Sequence, residues 1–320
     1  MNIFKKIEIF VKEVFKTTVE IFYEALKLSP NAQGYVSGSI TELILKRHLE
    51  NLHFTVHRIR EKWEGRKHTN HHGDFYFKHQ NSNSWFVLES KGVKSNSEKW
   101  HKLYNTDKLA KFMFSHSDKI YWINPKKEIE PQITAWIDKN LPKFNSEYSS
   151  YLYDYEEVKK YLENKPKKET TKSQTIDLLK DYTREEISEF IAERLNYLMT
   201  KIKIIETHFV SGTSVANERT QATPRKDEFN LISIDIFLRY PEHKFLFGNP
   251  KHLESSGADA EHLQQNYIIG FVFNENGKNK LSLSDEWFDN FIDAYETLSD
   301  KDAINEQDMQ IDSRNVIYPE

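Results

Sequence analysis

The chain has 320 residues, of which 38% are hydrophobic and 29% charged, and its formal net charge is -4 at pH 7. Aromatic residues make up 13%, which is too many core-forming side chains for a disordered protein. Cysteine is absent, and this excludes disulfides, thiol catalysis and cysteine-bound zinc. Lys and Glu interrupt the first apolar run every few residues, so we expect neither a signal peptide nor a membrane span, and a cytoplasmic protein.

Charge is distributed unevenly along the chain. Residues 42–127 carry 17 Lys and Arg against 9 Asp and Glu, a net charge of +8, whereas residues 281–320 carry 2 against 11, a net charge of -9. A basic first half can face a polyanion, from which the acidic end would have to stay away. Ordinary solvated surfaces explain the same counts and are the preferred explanation from charge alone.

Residues 1–28 are predicted to form one long helix. Apolar side chains recur at the a and d positions of a heptad repeat, and three further phenylalanines widen the stripe. A stripe this broad is more typical of a helix packed on its own domain than of a coiled coil, although self-association stays open. After SPNAQGYVSG, the pattern Ser39-Ile40-Thr41-Glu42 resembles a capping box and predicts a second helix through Leu52.

Strand and helix signals alternate through the middle of the chain. Short apolar runs predict strands at 54–59, 74–77, 85–88 and 119–123, and the turn-rich segment KHQNSNS joins the second to the third. Helices are predicted at 98–114, 133–140 and 156–163. Residues 163–175 have almost no apolar side chain and predict a linker between an N-terminal domain, 1–162, and a C-terminal domain, 176–320.

The C-terminal domain is predicted to begin with a helix at Thr183 and to continue mainly as strands. The strand candidates are IKIIETHFV, NLISIDIFL, KFLFG, NYIIGFVF and KLSLS, and a last helix is predicted from Asp285 to Leu298. The whole chain is therefore expected to be an α/β protein, with a mixed sheet flanked by helices and a second α+β domain.

Residues 71–92, HHGDFYFKHQNSNSWFVLESKG, carry the most specific chemical signal. If the two apolar runs are adjacent strands, Asp74 and Glu89 come together, and Glu89 and Lys91 share one face of the sheet. Two carboxylates and an ammonium group then converge. Hard oxygen ligands of this kind suit Mg²⁺, which keeps several waters and binds phosphate substrates. The lysine can orient or help deprotonate the attacking water, or stabilise the charge that develops on phosphorus.

The pattern resembles that of the PD-(D/E)XK nuclease superfamily, in which a helix carrying a Glu, a strand, an Asp-bearing strand, an E-X-K strand and a helix follow one another. The resemblance implies a restriction-endonuclease-like fold. It implies these roles: Asp74 and Glu89 as Mg²⁺ ligands, the main-chain carbonyl of Ser90 as a further ligand, Lys91 as the catalytic lysine, and Glu42 as a catalytic carboxylate that either supports these ligands or binds a second metal ion. Gly73 stands where the family motif has a proline.

Structural explanations compete with these roles. Asp74 and Lys91 could form a surface ion pair across a hairpin, and Glu42 could only cap its helix, because Ser39 stands three residues before it. A cluster of three histidines, His68, His71 and His72, is expected to be exposed or to contact phosphate rather than to bind a metal.

A second, weaker motif begins at Asp235. It is followed by Asn249, Pro250 and Lys251 at nearly the spacing of the first motif, but the second carboxylate is missing. We interpret this repetition as accidental, because an asparagine would leave a metal ion under-neutralised.

A long polar segment, residues 211–229, is the candidate for DNA base recognition. It contains Arg219, Gln221, Arg225 and Lys226, and Arg and Gln are the residue types that make bidentate contacts with guanine and adenine. A mobile surface loop is the alternative. Residues 264–266, Gln-Gln-Asn, are a second candidate, for which the start of a strand is the preferred explanation.

Together these features predict a Mg²⁺-dependent endonuclease that hydrolyses phosphodiester bonds in double-stranded DNA at specific sequences, similar to a type II restriction enzyme. Cleavage of both DNA strands by a protein with one active site per chain favours a homodimer. The N-terminal helix is the candidate contact between the two chains. The alternatives are a repair, recombination or modification-dependent nuclease on the same core, and a non-catalytic DNA-binding protein. The recognition sequence, cleavage position and methylation dependence depend on loop geometry and DNA deformation, which the sequence does not give.

Overall fold

A computed structural model describes residues 1–60, 71–93, 103, 106–141, 159–161, 163–165, 167–168, 170, 183–209, 223–257 and 259–312. The first half contains helices α1 (Ile3–Phe15), α2 (Val19–Leu28) and α3 (Pro30–Asn51), strands β1 (Phe54–Arg58), β2 (Phe75–His79) and β3 (Phe86–Gly92), and helices α4 (Thr106–Ser115) and α5 (Ile129–Asn140). The second half contains α6 (Arg184–Lys201), β4 (Ile202–His208), β5 (Leu231–Asp235), β6 (Phe245–Gly248), β7 (Ser255–Ser256), β8 (Asp259–Leu263), β9 (Asn266–Glu275), β10 (Lys278–Leu283), β11 (Trp287–Phe288) and α7 (Phe291–Tyr295).

The central sheet has six strands in the order β1-β2-β3-β5-β6-β11. Neighbouring strands run antiparallel except β3 and β5, which are parallel, so the sheet is mixed. A second sheet, β10-β9-β4, is entirely antiparallel. Mixed α/β architecture was expected from the sequence and is confirmed.

The layers of the molecule follow from the alternation of apolar side chains along the central strands. Val87 of β3 and Ile232 of β5 pack against Ile205 and Ile269 of the second sheet. Leu88 of β3, on the opposite face, packs with residues of α3 and α7. The far side of the second sheet is covered by α4, α5 and α6. Both faces of β3 are therefore buried in cores.

Strand pairing does not follow the predicted division into two domains. In the parallel pair, Leu88 of β3 lies beside Leu231 of β5, so one sheet takes strands from both sides of residues 163–175. The division into domains 1–162 and 176–320 is therefore wrong for the central sheet. Composition reports only the local polarity of a segment, whereas strand order is set by contacts between distant residues. Residues 163–175 themselves lie mostly outside the described residues.

The N-terminal segment is two helices rather than the single predicted one. The break comes at Lys16, which has a left-handed backbone with φ of 55°, and Thr18 then caps α2 by accepting a hydrogen bond from the N–H of Ile21 at 3.4 Å. Side-chain capping offsets the cost of interrupting the helix. Among the helices that the structure describes, none is both long and apolar enough to cross a lipid bilayer.

Helix α3 begins earlier than the capping-box pattern predicts. It starts after Ser29, whose hydroxyl accepts from the N–H of Ala32 at 3.3 Å, with Pro30 in the first turn. Proline fits there because the first N–H groups of a helix have no intrahelical partner. Ser39 and Glu42 consequently lie in the middle of α3, and the prediction that Glu42 caps a helix is wrong.

Two predicted elements elsewhere are replaced by irregular structure. Residues 119–123 do not form a strand, because Ser282 binds this segment through its side chain: its hydroxyl donates to the carbonyl of Lys119 at 2.7 Å and accepts from the N–H of Tyr121 at 2.8 Å. The predicted helix from Asp285 to Leu298 shortens to α7 and is preceded by β11. Helix α6 begins with the predicted capping box, formed by Thr183 and Glu186.

Candidate active site

The antiparallel pairing of β2 and β3 brings Asp74 to the E-X-K end of β3. Phe75 pairs with Leu88, so Asp74, one residue earlier, comes alongside residues 88–90. Its N–H donates to the carbonyl of Leu88 at 3.0 Å, and its Oδ2 accepts from the N–H of Ser90 at 2.7 Å. The hairpin predicted from the two apolar runs is confirmed, and Asp74 is held directly against the strand that carries Glu89 and Lys91.

Gly73 allows this close approach. Its φ is +154°, and a Cβ at this position would lie 2.5 Å from Cγ1 of Val87 and 3.2 Å from the carbonyl oxygen of Leu88. A distance of 2.5 Å is a steric clash, so any side chain here would push the backbone before Asp74 away from β3. A glycine at this position, where the PD-(D/E)XK motif has a proline, thus has a local steric reason.

Glu89 and Lys91 lie on the face of β3 that the second sheet covers. They form an ion pair, and their side chains are only 14% and 33% exposed. Lys91 therefore pairs with its neighbour on the same strand, and the pair is largely shielded from solvent. This differs from the surface ion pair with Asp74 that was the structural alternative.

Ionisation of Asp74 and Glu89 costs free energy in this buried environment. Burial, followed by the negative charge of Glu89, raises the pKa of Asp74 to about 7, although Lys91, the Ser90 N–H and Arg58 oppose the rise. Burial also raises the pKa of Glu89, and the ammonium group of Lys91 offsets part of this effect. Burial lowers the pKa of Lys91, but the negative charges of Glu89, Asp74 and Glu42 outweigh burial, so that the pKa is raised overall. Perturbed carboxyl groups of this kind are typical of functional sites.

Glu42 reaches this group of charges from α3. Its Oε2 lies 2.7 Å from a guanidinium nitrogen of Arg58, at the end of β1. The charge of Arg58 acts on the pKa of Asp74, and that of Glu42 acts on the pKa values of Glu89 and Lys91. Arg58 was not predicted as a site residue, because only the pairing of β1 with β2 reveals that it lies near Asp74.

The donor set of the site is compatible with a hard cation. Main-chain groups of successive residues in a strand point to opposite sides, and those of residues two apart point to the same side. The carbonyl of Val87 accepts from Asn230 next to β5, whereas the N–H of Ser90 donates towards Asp74, so the Ser90 carbonyl also points to the Asp74 side. Within the described ranges, no three His, Asp or Glu side chains are arranged as a metal-binding group. Mg²⁺ commonly takes only one or two carboxylates and completes its shell with waters.

A cluster of polar side chains lies at the C-terminal end of β5, beside the end of β3 that carries Lys91. Asp235 pairs in register with Gly92, the residue after Lys91, and is fully buried. Its Oδ2 accepts from the Thr41 hydroxyl at 2.8 Å and lies 2.6 Å from Nδ1 of His243. Thr41 is adjacent to Glu42, so this group supports the part of α3 that faces the site. Sequence reasoning did not identify His243.

The weaker motif does not form a second site. Asn249 donates to Thr297 at 3.2 Å, and Lys251 lies 2.6 Å from Asp302. Both side chains are thus used by other parts of the structure, as expected for an accidental repetition of spacing.

The candidate base-recognition residues have different outcomes. Arg219 and Gln221 lie outside the described residues. Arg225 forms ion pairs with Asp227 at 2.9 Å and Glu261 at 2.7 Å, and Lys226 donates to the carbonyl of Leu253. Contact of Arg225 with a base would require exchange of these partners. In the second candidate segment, Asn266 begins β9 and lies 2.8 Å from Nδ1 of His208.

The three histidines predicted as a cluster also have different outcomes. His68 lies outside the described residues, and His72 is exposed. Nδ1 of His71 lies 3.1 Å from the hydroxyl of Tyr76, and burial lowers the pKa of His71. Metal binding by this group has no support from the described residues.

Comparisons with known proteins do not place the chain in a family. No family model matches it, and neither curated proteins nor solved structures include a significant match. The functional inference therefore depends on the geometry of the site and on the resemblance of its motif.

Proposed function

We propose that the protein is a Mg²⁺-dependent endonuclease that hydrolyses phosphodiester bonds in double-stranded DNA, with a site of the PD-(D/E)XK type and a restriction-endonuclease-like core. One observation carries this proposal. The Asp74 carboxylate is fixed to the Ser90 N–H beside the Glu89–Lys91 ion pair, and its pKa is raised to about 7. Two buried carboxylates held at such a cost favour a cation at this position.

Asp74, Glu89 and the Ser90 carbonyl would hold the Mg²⁺ ion. When bound, this ion would neutralise the two carboxylates and polarise a phosphate oxygen. Ser90 and Gly73 act through the backbone: the first donates to Asp74, and the second allows the close approach of the two strands.

Lys91 is assigned the role of a cation rather than a base. Because its pKa is raised, it stays an ammonium group at neutral pH and can only donate hydrogen bonds. It would orient the attacking water and stabilise the negative charge on the phosphorane. Glu42 and Arg58 would position these groups from the α3 and β1 sides.

A non-catalytic DNA-binding protein is the alternative from a different class. Loss of one member of the acid-acid-lysine set would favour it, but all three residues are present and adjacent in the structure. A repair, recombination or modification-dependent nuclease would use the same site and differ only in the DNA that it selects.

The test is cleavage of unmethylated phage and plasmid DNA by the purified protein with Mg²⁺. Discrete fragments are expected, together with a loss of about 100-fold or more in rate for Asp74→Ala and Lys91→Ala and no cleavage in EDTA. Lys46→Ala is the matched control for Lys91→Ala, because Lys46 pairs with Glu50 on α3 and has no part in the proposed site.

Two results would change the assignment. DNA binding without cleavage of any substrate, methylated or unmethylated, would replace the nuclease with a DNA-binding protein. Cleavage that survives both substitutions would move the active site away from β2 and β3.

A further inference from the structure

The first three helices expose an unusual amount of apolar surface. We name α1, α2 and the first half of α3, residues 3–43, the helical arm. Among the described residues, fourteen of the eighteen exposed large hydrophobic side chains lie in residues 1–43. Leu28 and Tyr35 are more than 80% exposed, and Phe4 is 75% exposed. Helix α3 becomes buried only from Thr41 onwards, where it reaches the central sheet.

The size of this surface is that of a specific interface. Five aromatic residues of the arm alone leave roughly 600 Å² exposed, on a scale of about 200 Å² for each ring. Aliphatic neighbours such as Ile3, Ile7 and Val14 bring the total to about the 800 Å² that each partner contributes to a standard interface. Exposed apolar area concentrated in one part of a chain in this way is typical of interaction sites.

A groove in the arm has a volume comparable with that of a short helix. It has a volume of about 1240 Å³ and is lined by α1 and the start of α2, with Phe4, Ile7 and Val19 among its apolar residues. Helix α1 has 13 residues, which gives a length of about 20 Å and a volume of roughly 1,500 Å³ for a 10 Å diameter. The groove and an amphipathic helix the size of α1 are therefore similar in volume.

The charges around the groove favour a second copy of the chain over a membrane. Its lining includes Lys12 and Lys16 as well as Glu8, Glu13 and Glu20. Residues 1–28 hold five Lys and four Glu, so the arm is close to neutral. Membrane-surface helices are rich in Lys and Arg on their polar face, and polyanions need a basic surface. Mixed signs instead allow acidic and basic residues to exchange partners across a twofold axis.

We propose that two copies of the chain associate through the helical arm, with α1 of each copy lying in the groove of the other. This inference stands on the surface of the arm and does not require the proposed nuclease activity. If that activity exists, the pairing would bring two sites to one duplex.

The test is the mass of the full chain in solution by light scattering and sedimentation. At about 10 μM, wild type is expected at twice the chain mass of 38.1 kDa. The double variant Phe4→Glu with Ile7→Glu is expected to weaken association by about 30-fold or more, because charges would enter the buried interface. Phe114→Glu, at an exposed position of α4, is the control and should leave the dimer intact.

A cross-link provides a second measurement that does not depend on a destabilising change. Because the chain has no cysteine, Ile7→Cys introduces the only thiol, and mild oxidation should join two copies. Phe114→Cys should stay uncross-linked.

Three outcomes would overturn the proposed association through the arm. Wild type that is monomeric at 100 μM removes the dimer, and a dimer that survives the arm variant places the interface elsewhere. A monomer whose arm binds vesicles of phosphatidylcholine and phosphatidylglycerol would assign the arm to a lipid surface. DNA cleavage is measured separately, so a monomeric nuclease would reject this inference and leave the proposed function in place.

Discussion

The site around Asp74 and the helical arm depart from the usual distribution of residues in opposite ways. At the site, Glu89 and Lys91 bring charge into a covered face of the central sheet, whereas the arm leaves Phe4 and Leu28 open to solvent. A folded chain normally does neither, because buried charge and exposed apolar surface both cost free energy. The difference motivates both proposals: a cation would offset the buried charge at the site, and an apolar partner would cover the exposed surface of the arm.

The largest effect is expected from Gly73→Ala, which tests whether the site needs the close approach of β2 and β3. The added Cβ would clash with Val87, and we expect a loss of about 3 kcal/mol in the free energy of unfolding. Gly92→Ala is the control, since no atom lies within 4 Å of its added Cβ. Urea unfolding measures both, and equal costs would show that Gly73 has no special role.

Asp74→Asn should stabilise the metal-free protein. The pKa of Asp74 is raised above its unfolded value, so the folded chain binds more protons and loses stability as the pH rises from about 4 to 7. Because asparagine carries no charge, the free energy of unfolding of the variant should exceed that of wild type by on the order of 2 kcal/mol at pH 8. Near pH 4 the two proteins should be almost equally stable. Urea unfolding in EDTA checks the two values. A gain that does not depend on pH would contradict the raised pKa.

Adding Mg²⁺ to the same pair of proteins sharpens the result. Wild type should become more stable, because the ion binds the folded state, whereas Asp74→Asn should respond little. An equal response of both would place the ion at another site.

Glu42→Gln should lower the cleavage rate about tenfold, the usual scale for residues that orient a metal centre. Its ion pair with Arg58 is partly exposed, so the free energy of unfolding should fall by less than about 1 kcal/mol. Single-turnover cleavage and urea unfolding separate the two effects. An unchanged cleavage rate would mean that Glu42 only forms an ion pair that joins α3 to β1.

The smallest effect is expected in the arm, from Ile7→Ser at protein concentrations where the monomer prevails. Since Ile7 is exposed, the change should alter the free energy of unfolding by at most about 0.5 kcal/mol, and by more as the concentration rises. Ile133→Ser, at a buried position of α5, should cost several times more. Equal costs in urea unfolding would mean that the single chain already covers Ile7.

Local patterns correctly predicted the hairpin on which the candidate site depends. The alternation of side chains and the turn between the two apolar runs were sufficient to place Asp74 beside Glu89 and Lys91, because β2 and β3 are consecutive strands. The break between α1 and α2 also had a local signal, the capping residue Thr18, which the heptad interpretation overrode.

The features that the sequence did not predict depend on contacts between distant segments of the chain. The partner of Glu42 could not be predicted, since Arg58 reaches it only after α3 packs on β1. The supposed domain boundary failed for the same reason, because nothing in the polarity of residues 163–175 reports that β5 pairs with β3.

That parallel pairing also determines when the site can form during synthesis. Leu88 cannot meet Leu231 until the ribosome has released β5, so β3 emerges with one edge unpaired and stays so while more than a hundred further residues are made. Closing so long a loop makes its formation slow. The β2–β3 hairpin that holds Asp74 can form early, but the other edge of β3 is completed late, and a nascent chain that stops before β5 would lack the support that aligns Glu89 and Lys91.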